Sequence, residues 1–361
     1  MPLLYAEAKF AETGETIRAA RMELHRAAFQ HEVAVFEVPS TYGAAYPQGS
    51  PVRLSWGSFP ETKDNFYGYV HHDRPEAGKE DRRTPMTKLV CIGTTGVLGD
   101  HGSRSWLNTR SDLVLEEMAL EHGLLFAAHQ GRRTMSNLVQ AAESGWKFLT
   151  RVAKEEGHVL FGVGPAAVML DPVTVMNERG PLAMLIERSE TTSLRGTVGA
   201  LDVGTRESVT REGYTLADSG ALVAAGSPLP GGDRAVRPEA REKRFVLDTA
   251  SGSAKDLGEE IFAASRDEGF LNELEVEIRG ARPKIVPTTA AELRGFGRQY
   301  DGFWSVRDVT FRLGSEMTTE LKLHKAPVDA RSRAQRRGST LPRRGASSRA
   351  MRLVRGRWVA A

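Results

Sequence analysis

The sequence predicts a mainly β protein with a smaller α/β part. Short runs of Val, Ile, Phe and Tyr, separated by Gly, Pro, Asn and Asp clusters, fill both ends of the body. Between them the apolar period lengthens from that of a strand to that of a helix. From Ala326 onward the chain is rich in arginine and poor in apolar residues.

The elements follow in order. "HEVAVFEVP" (31–39), "SPVRLSWGS" (50–58), "FYGYVHH" (66–72) and "TKLVCIGTT" (87–95) read as strands, and such runs in succession suggest a barrel or sandwich. In "SDLVLEEMALEHGLLFAA" (111–128), Val114, Leu115, Met118 and Ala119 share one helix face, with Ser111 as N-cap and Gly123 as the stop. "ESGWKFLTRVAKEEGHVLFGVG" (143–164) repeats the design. Ser144 is the cap, Phe148, Leu149, Val152 and Ala153 are the face, Gly157 is the stop, and a strand follows. A shift of 34 positions superimposes Val114 on Phe148, Leu115 on Leu149 and Gly123 on Gly157, so two helix–glycine–strand units form one small α/β domain. Strand signals return at 182–203 and 212–224. A Gly/Pro loop is expected at 226–238 and a helix at 253–269. A half-buried strand at 271–280 then leads to a closing hairpin, 301–314 and 316–325, turning at Gly314 and Ser315.

Composition narrows the class. The chain is 40% hydrophobic and 26% charged, ordinary for a globular protein of two or three domains. Cys91 is the only cysteine, so no intrachain disulfide forms. No apolar run approaches the roughly 20 residues of a membrane span, and the N-terminus lacks a secretion pattern, which places synthesis and assembly in the cytoplasm. The net charge of +3 hides a division: the segment from Ala326 holds ten arginines and one acid, Asp329, giving +9, so residues 1–325 carry −6. An acidic body carries a basic arm.

Few residues offer chemistry. His71 and His72 are adjacent, and neighbours on a strand face opposite ways, so they do not read as ligands of one metal. "GTTGVLGDHG" (93–102) lacks the phosphate-loop lysine and reads as an interdomain loop. Cys91 lies within an apolar strand, where a thiol acts as a small hydrophobe. No spacing selects a carboxylate pair. Trp146 and Trp304 could carry a ligand, but core is the usual place for such residues. The arginine arm leaves two readings open: a nucleic-acid contact, or an arm that docks on an acidic neighbour with Met351, Leu353, Val354 and Trp358 as anchors.

One resemblance covers most of residues 30–325 in the same order. "GWKFLTRVAKEEGHVLFGVGPAAVMLDP" resembles the signature of phage tail hub proteins of the late-control-protein-D type, through Ser144, Trp146, Phe148, Leu149, Ala153 and Gly157; Gly145 stands where that family has Asp. "GRQYDGFWSVRDVTFRLGSEMTTELKL" (297–323) is similar to the family's closing hairpin, with Gly302, Trp304, Val306 and Val309 at its core positions. The family's Pro-Gly-Asp turn before that hairpin is replaced by "RPKIVPTTAAELRGFG" (282–297). "FYGYVHH", "TKLVCIGTT" and "RSWLNTRSDLVLEEMALEHGL" look like the order in minor tail proteins of long-tailed phages, many from actinobacterial hosts.

The resemblance implies a non-enzymatic baseplate or tail-tip hub without metal or cofactor. It implies a β-barrel domain at 1–98, a lateral α/β domain at 99–180 braced by the Trp–Phe helix, a second barrel with an inserted helix at 181–325, and a basic extension at 326–361. Three subunits would close into a torus of barrels, a homotrimer. Its expected place is the virion tail tip, after assembly in the host cytoplasm. Its expected partners are the distal tail protein, the tape measure protein and the tip or spike proteins, with DNA passing through the channel without specific binding. The arm lies outside the match; Arg336, Arg337, Arg343, Arg344, Arg352, Arg355, Arg357 and Trp358 are its expected partner contacts. The rival functions are a tail-associated wall hydrolase, which would need a catalytic domain for which no segment is left over, and a nucleic-acid module acting through the arm.

Overall fold

The computed structural model describes residues 3–39, 47–59, 62–76, 86–132, 134–179, 184–197, 209–216, 222–228, 243–248, 273–280, 282–297 and 300–324, and short strands at 343–344, 351–354 and 357–360. The chain is mainly β, as the sequence predicts.

Residues 3–93 supply β1 (Leu3–Phe10), β2 (Thr16–Arg18), β3 (Arg21–Ala27), β4 (Val33–Pro39), β5 (Pro51–Phe59), β6 (Thr62–Glu76) and β7 (Met86–Gly93). The last four coincide with the expected strands; the first three were not anticipated. Antiparallel pairing runs from β1 through β5, β6, β7 and β4 to β3. It then returns to its start, because β2 pairs with β1 and leads directly into β3. The N–H groups at this bend are satisfied, Ala19 donating to Ala6 O at 2.9 Å and Ala20 to Glu37 O at 2.9 Å. Strict alternation fills the interior: Ala6, Ala8 and Phe10 are buried beside Val52, Leu54 and Trp56, while Glu7 and Lys9 face out.

The α/β part begins with a 3-10 turn, Thr94–Gly99, in the stretch expected to be a loop. β8 (His101–Thr109), α1 (Ser111–Glu121) and β9 (Leu125–Ala128) form one unit; β10 (Met135–Ser144), α2 (Gly145–Glu155) and β11 (Val159–Val163) form the next. The shift of 34 found in the sequence holds for both helices and extends to the flanking strands. The helix ends also repeat. Gly123 and Gly157 have φ of 69° and 67°, Leu124 N donates to Ala119 O and His158 N to Ala153 O, each at 2.8 Å. This is the left-handed glycine cap that releases a chain from a helix. β8 pairs antiparallel with β10, and Ser105 lies opposite Val139, its own counterpart under the shift, as a local twofold axis requires. β12 (Ala166–Leu170) separates β11 from β9, antiparallel to the first and parallel to the second. The short helix α3 (Pro172–Arg179) follows.

One expectation is corrected here. Ser111 is not the N-cap of α1; that position is Arg110, in extended conformation, and the equivalent of Arg110 under the shift is Ser144. Ser144 does cap α2, accepting from Lys147 N at 3.2 Å. Ser111 instead donates to the Glu156 carboxylate, a buried tie between the two units.

A second ladder comprises β13 (Met184–Glu187), β14 (Thr191–Thr197), β18 (Glu273–Arg279), β19 (Ala290–Arg294), β20 (Gly302–Leu313) and β21 (Met317–His324). Between β14 and β18 lie β15 (Val209–Leu216), β16 (Leu222–Pro228) and β17 (Lys243–Asp248), a separate three-stranded sheet. Part of the expected loop at 226–238 belongs to β16, and the expected helix at 253–269 lies outside the described residues. Pairing runs β14, β18, β21, β20, β19, β13, and only the 3-10 turn Arg188–Glu190 separates β13 from β14. The two ladders meet where β20 pairs with β3, Asp308 opposite Ala27 through Leu313 opposite Met22. Their apolar interiors merge there, Trp56 lying 4.5 Å from the Phe311 ring.

Candidate functional site at the junction of three parts

The turn between β3 and β4, Ala28–Glu32, is where both ladders and the α/β part touch. Phe29 takes a left-handed φ of 63°, which aims its N–H at Leu160 O, 2.6 Å away on β11. Its carbonyl accepts from Trp146 Nε1 at 3.2 Å. The indole also packs on His31, ring centres 4.3 Å apart, and Lys154 Nζ stands 4.8 Å from the Phe29 ring centre. His31 Nδ1 lies 3.0 Å from Thr95 Oγ1. Burial drives the His31 pKa down to about 4, so the ring is neutral at ordinary pH.

Beneath this turn lies an ion cluster. On β3, Met22, Leu24 and Arg26 point inward, so the strand's alternation carries a guanidinium into the core, 1% exposed. Arg26 Nε donates to Glu32 Oε1 at 2.6 Å; Nη1 donates to Asp64 Oδ2 of β6 at 2.9 Å and to Ile285 O of the second ladder at 3.3 Å. Glu32 Oε2 accepts from Gly164 N, in the β11–β12 turn, at 2.8 Å, and Lys284 N donates to Asp64 Oδ2 at 3.0 Å. Burial alone would favour loss of the Arg26 proton, yet Glu32 and Asp64 hold its pKa above the ordinary arginine value. Burial pushes the Glu32 carboxyl up, against the pull of Arg26 and the Gly164 N–H. Arg26, through Nε and Nη1, and both Glu32 oxygens therefore tie three parts of the chain together in a region closed to water, while Arg26 Nη2 finds no partner there.

The other face of the joined ladders is polar. Across β18, β21, β20, β3, β4 and β7 the outward positions include Glu275, Lys322, Glu320, Arg312, Glu23, Arg21, Glu37 and Lys88. Lys322 pairs with Glu275 at 3.6 Å, Arg21 with Glu37 at 3.9 Å, and Arg312 with both Glu23 and Glu320. A groove of about 450 Å³ opens on this face at the β3–β20 seam.

The residues singled out in the sequence fall in several places. Phe148, Leu149 and Ala153 are buried in the α/β core, Phe148 stacked on Trp106 at 5.1 Å. Trp146 is at the β3–β4 turn, bonded to Phe29 O, and Gly157 ends α2. Gly302 opens β20 at φ 122°. Trp304, Val306 and Val309 are buried in the second ladder, Trp304 Nε1 donating to Tyr300 O at 2.8 Å. Gly145 has a physical reason to lack a side chain: a Cβ there would lie 2.7 Å from Met118 Cε and 3.1 Å from Leu98 O. The premise that His71 and His72 face opposite ways is corrected. A bulge at His71 breaks the strand alternation and brings the two imidazoles together, Nδ1 to Nδ1 at 2.7 Å. Among the described residues no third ligand joins them in a metal-binding group. Cys91 is fully buried, and burial pushes its thiol pKa up. Of the arm residues, Arg336, Arg337 and Arg355 lie outside the described residues; Arg343, Arg344, Arg352, Arg357 and Trp358 fall in short strands. Arg26, Glu32 and Asp64 do not stand out in the sequence, although an arginine continuing the inward side of Met22 and Leu24 was a signal for the first of them.

No protein-family model and no curated protein sequence matches the chain. Solved structures do. The 43 kDa tail protein of prophage MuSo2 from Shewanella oneidensis aligns over 91% of this chain and 99% of its own, with a TM-score of 0.65 and 13% identity. A tail protein from Neisseria meningitidis aligns over 91% and 98%, at a TM-score of 0.66 and 13% identity. The chain has the fold of these tail proteins. The Escherichia coli c3393 protein, a type VI secretion component with structural similarity to the T4 tail proteins gp27 and gp5, aligns over 88% of this chain and 77% of its own, at a TM-score of 0.56 and 10% identity.

Proposed function

We propose that this protein is a structural component of a phage tail, the hub at its tip. The observation that carries the reading is the match over nine-tenths of the chain to two tail proteins, each itself covered almost end to end. In this reading each returning ladder is a barrel, and the β3–β20 seam sets the angle between the two. The junction at Arg26 and Trp146 holds the α/β domain to the side. Three subunits close head to tail into a ring. The ring joins the distal tail protein to the tip or spike and leaves a channel for the tape measure protein and then DNA. The polar sheet face suits the wall of that channel, because Lys322, Arg21 and Arg312 are paired with acids and offer a passing phosphate backbone little to bind. Assembly in the host cytoplasm and residence in the virion tail follow from the same role.

The test is the mass of the purified protein by light scattering across a concentration series. A hub gives about three times 39.6 kDa, with rings visible by electron microscopy. A species that stays at one subunit, and that adds to no purified distal tail ring, would overturn the reading.

A further inference from the structure

The α/β part has two equivalent sheet edges, and one of them is known to be a docking edge. On the outer side of β11, Leu160 O accepts from Phe29 N and Gly162 N donates to Gln30 O at 3.4 Å, which is how the β3–β4 turn is held. The shift of 34 maps Leu160 onto Phe126 and Gly162 onto Ala128, on the outer side of β9. β9 therefore presents the counterpart backbone groups on the opposite side of the same sheet, whose order is β11, β12, β9 and then the two-residue strand Arg343–Arg344. Its residues, Leu125–Ala128, include none of the lysines or prolines that keep an open edge from pairing. At that edge the structure sets Arg343 opposite Ala128 and Arg344 opposite Ala127, antiparallel.

We propose that the outer edge of β9 is a strand-acceptor site and that its occupant is the chain's own C-terminal segment, added as a strand around Arg343 and Arg344. Internal symmetry and the observed pairing point to the same edge independently. Main-chain hydrogen bonds supply the attachment, as in other strand additions. The flanking residue types are compatible with it: proline has no N–H and is tolerated at a sheet edge, and glycine permits conformations closed to other residues; the sequence has Pro342 before and Gly345 after. Residues 325–342 can span up to about 60 Å when extended. The arm is thereby a tethered strand rather than a free nucleic-acid tail.

The test pairs Ala127→Cys with Arg344→Cys in the full chain, where the native Cys91 is buried and its thiol held protonated. Cross-strand neighbours lie about 4.5–5.5 Å apart, within disulfide range. The comparator is Ala127→Cys with Arg336→Cys, off register. The in-register pair should oxidise within one chain about tenfold faster than the comparator, giving a compact monomer band on a non-reducing gel. Equal rates in both pairs, or no disulfide, overturn the docking; a disulfide between chains overturns the assignment to the same chain. Should the cysteine pair fail to fold, amide exchange at Ala128 in the unmodified chain decides. Protection like that of β12 supports the added strand, and exchange at the rate of an open edge overturns it. Neither readout depends on whether the protein forms a ring.

Discussion

At the scale of single residues, the junction turns on two titratable groups. Glu32 and Arg26 are each 1% exposed, so removing Glu32 leaves the Arg26 charge in the core with Asp64 as its one remaining carboxylate. Glu32→Gln should cost about 3–5 kcal/mol, read as a lower urea midpoint with an unchanged slope. Asp64→Asn should cost less, since Asp64 is 17% exposed and water can replace it. His31 makes stability depend on pH. Its folded pKa of about 4 lies below the unfolded 6.5, so between those values the unfolded chain binds more protons. Stability is therefore undiminished above pH 6.5 and falls as pH drops toward 4, by about 3 kcal/mol at most. His31→Gln should flatten that slope, which a series of urea melts from pH 7 to pH 4.5 would show. Only Arg26 left a trace in the sequence, as a charge on the inward side of a strand; its partners did not, because an ion cluster assembled from residues 26, 32, 64 and 164 leaves no spacing in the sequence.

At the scale of elements, the two helices show what a sequence can and cannot carry. Their faces, their glycine stops and the 34-residue shift were all readable, since each depends on neighbours three or four positions away. The cap of α1 was misassigned to Ser111 because serine is the better cap by type, while the same shift, applied to Ser144, points to Arg110. β1 to β3 went unnoticed for a different reason. In β1 two of the inward positions are Ala6 and Ala8, and alanine carries little strand signal; β2 is only three residues long, and β3 carries an arginine on its inward side. The bulge at His71 was invisible because its cause is the partner strand. Gly145 yields a sharp expectation: Gly145→Asp, which restores the residue of the resembled family, drives a side chain into Met118 and the Leu98 carbonyl. The loss should be about 2–4 kcal/mol from overpacking and buried charge, seen as a lower melting temperature.

At the scale of the whole molecule, the β3–β20 seam joins the start of the body to its end; Ala28 N reaches Asp308 Oδ1 across 280 positions of sequence. The apolar interiors of the two ladders are continuous beneath it. During synthesis, at about 5–20 residues per second, β3 waits roughly 15–60 s for the strand that covers its flank. For that interval its backbone edge and the apolar surface around Trp56 are open to any other nascent chain. The seam that fixes the finished shape is thus also a window of vulnerability. A ribosome that stops before residue 302 releases a product with every strand of the first ladder present and one side unguarded.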